Sequence, residues 1–143
     1  MEIQAKHIAD NIETGKWKNV ELIQGAVWDR KEKQTFCENN AGSSIQKNGA
    51  NNIECVTIDD TVKSEVTYIK MDVEGAELKA LQGAKNVIQK YTPKLAISIY
   101  HNPEDIFEIP TCILDMVPDY DFWIRQYSTN IWETVLYAKC SNK

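Results

Sequence analysis

The stretch Glu65 to Gly83, EVTYIKMDVEGAELKALQG, decides the fold. Val66 to Ile69 is a β-rich run, Lys70 and Met71 extend it, and Asp72 stands at its end. Glu74 and Gly75 follow. Apolar residues then recur with helical period at Leu78, Leu81, Ala84, Val87 and Ile88. A strand that hands an acidic pair to a tight turn and a helix start is a βα junction. In open α/β sheets, ligands bind in the crevice beyond the carboxyl ends of such strands. The helix is expected to reach about Lys90, with Glu74 and Glu77 near its start and Lys85 and Lys90 near its end, which suits the helix dipole. Thr92-Pro93 stops it.

Downstream, Lys94 to Tyr100 (KLAISIY) is a near-continuous apolar run of the kind buried on both faces of a sheet, and it ends in His101-Asn102-Pro103. Glu104 to about Met116 is expected to be helical, interrupted by Pro110 and closed by Pro118. Asp121 to Tyr127 and Glu133 to Lys139 form two closing strands around Ser128-Thr129-Asn130. Upstream, Ile3, Ile8 and Ile12 mark a short amphipathic helix with Gly15 as its stop. Val20 to Trp28 (VELIQGAVW) is expected to be a buried strand. Gly25 inside it marks either a bend or the close approach of a ligand or another backbone. Gln34 to Cys37 is a short strand, Asn39 to Asn52 a loop by composition, and Ile53 to Ile58 a strand that partners 34–37. Strands alternate with helices and two strands finish the chain. The expected class is α/β, with a mostly parallel sheet and an antiparallel edge strand.

A length of 143 residues suits a single domain. The net charge of −5, with no local cluster of Lys or Arg, argues against a nucleic-acid partner. The longest largely apolar run, Leu95 to Tyr100, is too short to span a bilayer, and Met1 to Glu13 lacks the apolar core of a signal peptide. Cys37, Cys55, Cys112 and Cys140 lie far apart without a C-x-x-C, so reduced thiols in a cytoplasm are expected, with neither a zinc site nor a disulfide framework. The glycines match no phosphate-binding or dinucleotide fingerprint.

Three polar groups gather at expected strand ends: Asp72, Glu74 and His101. If strands 66–71 and 94–100 are neighbours, as consecutive βαβ strands usually are, the three share one rim of the sheet. Two carboxylates and an imidazole can act as a general base or hold a divalent metal. The plainer alternatives are an N-cap for Asp72, a dipole partner for Glu74 and a structural role for His101. Asp59 and Asp60 are expected to cap or solvate a turn.

Tyr68 to Ala84 (YIKMDVEGAELKALQGA) resembles the central motif of the FkbM family of S-adenosylmethionine-dependent methyltransferases. Val20 to Asp29 resembles the family's third strand, and Val56 to Asp60 (VTIDD) the element before its fourth. Pro93 to Pro110 and Arg125 to Ala138 resemble its closing segments. The resemblance covers nearly the whole chain. It implies a Rossmann-like methyltransferase fold, S-adenosyl-L-methionine as cofactor, and methyl transfer to a hydroxyl on a sugar or another small molecule. It also implies that Ala26 and Val27 lie by the adenine, that Asp72 sits beside the methyl donor, and that Glu74 and His101 face the acceptor.

The family's first strand with its glycine-containing loop, and its second strand, would precede residue 1. They amount to roughly 60 residues at about 30 per βα unit. The expectation is therefore a single, N-terminally truncated methyltransferase domain over residues 1–143, incomplete as a catalyst by itself. Strand 20–28 would lack its neighbour and an edge of strand 66–71 would be open, inviting self-association or a complementing chain. A second expectation follows from that edge: a non-catalytic remnant or interaction module that pairs through it. A third is a metal-binding domain on Asp72, Glu74 and His101.

Overall fold

The computed structural model describes residues 2–39, 42–45, 51–130 and 132–141. In chain order its elements are α1 (Glu2–Glu13), β1 (Ala26–Val27), β2 (Lys33–Asn39), β3 (Gly42–Ile45), β4 (Asn51–Val56), α2 (Ile58–Thr61), β5 (Tyr68–Met71), α3 (Glu77–Gln82), α4 (Lys85–Tyr91), β6 (Lys94–Ser98), α5 (Asp105–Met116), β7 (Tyr120–Gln126) and β8 (Thr134–Cys140). The strands form two four-stranded sheets, ordered β1-β4-β2-β3 and β5-β6-β8-β7.

The second sheet carries the core. Ile69 and Met71 point inward from β5 while Tyr68 and Lys70 face solvent, a strand with one buried face. On β6, Leu95, Ala96 and Ile97 are all buried, as the unbroken apolar run requires. Leu81 and Ile88 from α3 and α4, Ile109 and Ile113 from α5, and Leu136 from β8 complete the cluster. Burying each of these large side chains contributes ~1.5–3 kcal/mol before chain entropy is set against it. Pro110 sits within α5 without ending it, because Ile109 and Ile113 on either side are fully buried and hold the helix down. At the far end, the buried Tyr120 hydroxyl donates to the Pro93 carbonyl at 2.6 Å.

β5 and β6 run parallel with Ile69 opposite Leu95, so the two strand ends that carry Asp72 and His101 do share a rim. β7 and β8 form the expected antiparallel hairpin, and β2 pairs antiparallel with β4.

Four expectations need correction. First, the pairing is mostly antiparallel: only β1–β4 and β5–β6 are parallel, and the described strands divide between two sheets. Second, the strand expected over 20–28 shrinks to Ala26–Val27. β4 offers it partners only at Cys55 and Val56, so Val20, Leu22 and Ile23 stay exposed despite their β propensity. Third, the Asn/Gly/Ser-rich stretch contains a strand, β3, which pairs with β2 and sets Phe36 opposite Ile45. Residues 40, 41 and 46–50 of that expected loop lie outside the described residues.

Fourth, the helix expected from Gly75 to Lys90 breaks in two at Gly83–Ala84. Asp59 causes the break. Its amide N–H donates to the Gly83 carbonyl at 2.9 Å, and its carboxylate accepts from Asn86 N (3.0 Å) and Val87 N (2.8 Å). Both ends of the Gly83–Val87 hydrogen bond that would continue α3 are thereby occupied. Asp59 is a cap after all, but for a helix 27 residues further on.

Gly83 makes the closest backbone approach. A Cβ there would lie 2.0 Å from the Trp28 carbonyl oxygen, so only glycine admits this contact. Gly25 has a similar explanation: its Cβ would stand 3.1 Å from the Glu54 carbonyl oxygen. A neighbouring backbone, not a ligand, accounts for that glycine.

Candidate active site

Asp72 follows the last residue of β5, and the turn that begins there is tight. Glu74 and Gly75 both adopt left-handed backbone, with φ of 55° and 91°. Glu74 pays roughly 1–2 kcal/mol for that conformation. The turn is tied down by Glu77, the first residue of α3, whose Oε1 accepts the Val73 N–H at 2.9 Å. From the other side, Asn102 packs against Gly75, where an added Cβ would meet its Nδ2 at 3.4 Å. Asn102 is itself held by the buried Asp105, whose Oδ2 accepts the Asn102 N–H at 3.0 Å.

This construction brings Asp72, Glu74 and His101 together. His101 Nε2 lies 3.8 Å from Asp72 Oδ1 and 3.6 Å from Glu74 Oε2. The two carboxylates are open to solvent, with side chains 40 % and 48 % exposed, whereas His101 is 9 % exposed. Beneath them lies Glu77, fully buried, with Oε1 at 3.0 Å from His101 Nδ1. That contact is not a hydrogen bond, and neither imidazole nitrogen makes one among the described residues. Glu77 Oε2 is also buried without a hydrogen bond.

Tyr100 joins the cluster. Its hydroxyl donates to Asp72 Oδ1 at 3.1 Å, and its ring lies 4.1 Å from that of His101 and 5.8 Å, edge-on, from Trp132. Burial, then the hydrogen bond to Asp72 and the charges of Asp72, Glu74 and Glu77, push the Tyr100 phenol up to about 12. Near neutrality Tyr100 is therefore a donor that orients Asp72. Lys70 Nζ stands 3.8 Å from the other Asp72 oxygen, with both groups well exposed.

Ala26 and Val27 lie in the other sheet, on β1, with Val27 packed against the core that contains Ile69 and Met71. The segment that follows them is anchored to α3 by Gly83 and by the Lys79–Asp29 pair at 2.9 Å. A groove of about 460 Å³ between α3 and α5, lined by Leu78, Phe107 and Cys112 among others, contains none of the site residues.

Sequence reasoning missed Glu77 and Tyr100. By sequence, Glu77 reads only as a dipole partner. Its signal is position: it precedes Ala80, Leu81 and Ala84 at spacings of three, four and seven, which puts a carboxylate on the buried stripe of the helix. Tyr100 was hidden as the last letter of an apolar run.

Among the described residues, no helix is long and apolar enough to cross a membrane. No curated protein matches the chain. Residues 8–128 match the family described as the methyltransferase FkbM domain. The fold is similar to a crystal structure of the methyltransferase FkbM from Methylobacillus flagellatus KT at 2.20 Å resolution, with 28 % sequence identity and a TM-score of 0.63. That similarity covers 96 % of this chain but 32 % of the other, so the chain spans about a third of its relative's length. A mixed α/β architecture, a βα junction built on Asp72 and a match over most of the chain agree: the chain belongs to the FkbM methyltransferase domain family.

Proposed function

We propose that this chain is the acceptor-side part of an S-adenosyl-L-methionine-dependent O-methyltransferase, acting on a hydroxyl of a sugar or another small molecule. The observation that carries the proposal is the rim of Asp72, Glu74 and His101 over buried Glu77. The donor set fits the cofactor by charge. A sulfonium is cationic, and the rim presents two solvent-open carboxylates with a third beneath. When bound, the cofactor supplies an already activated methyl group. Asp72 would lie beside it, with Ala26 and Val27 by the adenine.

The chain's own residues then have two tasks. One is to align the acceptor oxygen, a positioning effect that can contribute several kcal/mol. The other is to take its proton. Glu74, in a strained turn and open to solvent, would accept that proton, with His101 between it and Asp72. Tyr100 keeps one Asp72 oxygen occupied and so aims the other outward.

Calorimetric titration with S-adenosyl-L-methionine tests this reading. Because this part carries the acceptor side, one equivalent should bind only weakly, near 0.1 mM or about −5.5 kcal/mol, and Asp72→Asn should weaken it about tenfold. Equal affinity of wild type and Asp72→Asn would remove Asp72 from the cofactor side.

A second reading, an interaction module that self-associates or receives a complementing chain, is favoured by one observation: among the described residues β5 has a strand on one side only. It is the weaker reading, since β5 is four residues long and carries an exposed Lys70, both of which discourage edge pairing. Sedimentation of the purified chain as a monomer at high concentration would count against self-association.

A further inference from the structure

The base of the rim has features that proton transfer leaves unexplained. His101 is nine-tenths buried and aimed among three carboxylates, yet neither of its nitrogens is hydrogen-bonded among the described residues. Glu77 is fully buried, and its Oε2 is likewise unpartnered. Leaving such groups unsatisfied costs about 1–3 kcal/mol each, and more where the group is charged. Lys70 does not relieve this, since it sits 3.8 Å from Asp72 on the exposed side. Lys79, two residues after Glu77, is committed to Asp29.

One donor atom from each of Asp72, Glu77 and His101 lies within 4.8 Å of the other two. Ligand atoms about 2.2 Å from a first-row cation stand about 3–4.4 Å apart, depending on whether they are neighbours or opposite. The cluster is therefore at coordination spacing to within a few tenths of an ångström. We propose that Asp72, Glu77 and His101 form a binding site for a divalent transition-metal cation, with Glu74 at its rim. Two carboxylates and one imidazole suit manganese or zinc, and the imidazole disfavours calcium and magnesium. The buried wall of Glu77 and His101 leaves the remaining positions facing the solvent-open side, where Asp72 and Glu74 are exposed.

The site rests on geometry and stands without the methyl-transfer reading. If both hold, an acceptor hydroxyl on the cation would release its proton more easily, and that consequence alone depends on the function proposed above.

Manganese is the better probe, because zinc also seeks the thiols of Cys55, Cys112 and Cys140. The full chain should be titrated with Mn²⁺ while the electron paramagnetic resonance signal of the aqueous ion is followed. Loss of signal should saturate at one equivalent. Glu77→Gln, which keeps an oxygen for the Val73 N–H, should weaken binding at least tenfold, and so should His101→Gln. Circular dichroism checks that each variant is folded, and if Glu77→Gln is not, Asp72→Asn takes its place. Two outcomes overturn the site: no saturable binding to the wild type, or folded variants that bind as it does. Either result leaves the cofactor titration free to succeed, so the two proposals fail separately.

Discussion

Gly83→Ala probes the joint between the two sheets. Gly83 has φ of −76°, which alanine adopts without strain, so the unfolded-state effect alone predicts stabilisation of about 0.4–1 kcal/mol. Sterics oppose it. The new Cβ would lie 2.0 Å from the Trp28 carbonyl oxygen and 3.0 Å from its carbon, both backbone atoms that no rotamer change can move. The 2.0 Å separation must open to 3.0 Å or more, forcing the Trp28–Asp29 segment away from α3. Overpacking of this kind costs about 1–3 kcal/mol, or more against rigid atoms. The shift also strains the 2.9 Å Lys79–Asp29 pair, which is partly exposed and worth under about 1 kcal/mol. Destabilisation wins, by about 1–3 kcal/mol net, which corresponds to a fall in Tm of roughly 4–10 °C for a chain of this size. Urea unfolding followed by far-ultraviolet circular dichroism measures it, with Lys79→Gln separating the share of the ion pair. A Gly83→Ala protein as stable as wild type, or more so, would refute the account of this joint.

Asp59→Ala removes the carboxylate that accepts from Asn86 and Val87, and should cost about 1–2 kcal/mol in the same urea assay. A loss below about 0.3 kcal/mol would mean that water caps α4 equally well. Tyr120→Phe should cost about 1–2 kcal/mol, because it leaves the buried Pro93 carbonyl unpaired. It should also change the alkaline limb. Burial, and then Cys140, hold the Tyr120 phenol well above its ordinary range. Above pH ~10 the unfolded chain therefore loses a proton that the folded one keeps, and stability falls as pH rises, by up to about 1.4 kcal/mol per unit. Urea midpoints between pH 8 and 11 should fall less steeply for Tyr120→Phe, and parallel slopes would dismiss Tyr120 as the titrating group.

The parts of the fold legible in the sequence are those set by local pattern. The alternation of burial along β5, the unbroken apolar run of β6 and the closing hairpin follow from side-chain period and turn chemistry. The rim of Asp72, Glu74 and His101 followed from those strands being neighbours. What escaped was set at a distance. Val20 to Gln24 have β propensity but, among the described residues, no strand to bond with, and propensity without a ladder leaves coil. The break at Gly83 depends on Asp59, and between Gly75 and Lys90 only Gly83 itself hints at it. Glu77 carries its signal in spacing, yet acidic residues in a first turn are common enough to conceal a buried one.

The long-range cap on α4 also bears on the order in which the chain folds. Seven residues are too few for a helix to persist alone in water. The carboxylate that stabilises its first turn must be brought across 27 residues of chain, at a loop-closure cost on the order of 3 kcal/mol. α4 therefore cannot serve as an early local nucleus. It forms when the segment around α2 docks, and the two should protect their amides from exchange, and lose that protection, as one cooperative unit.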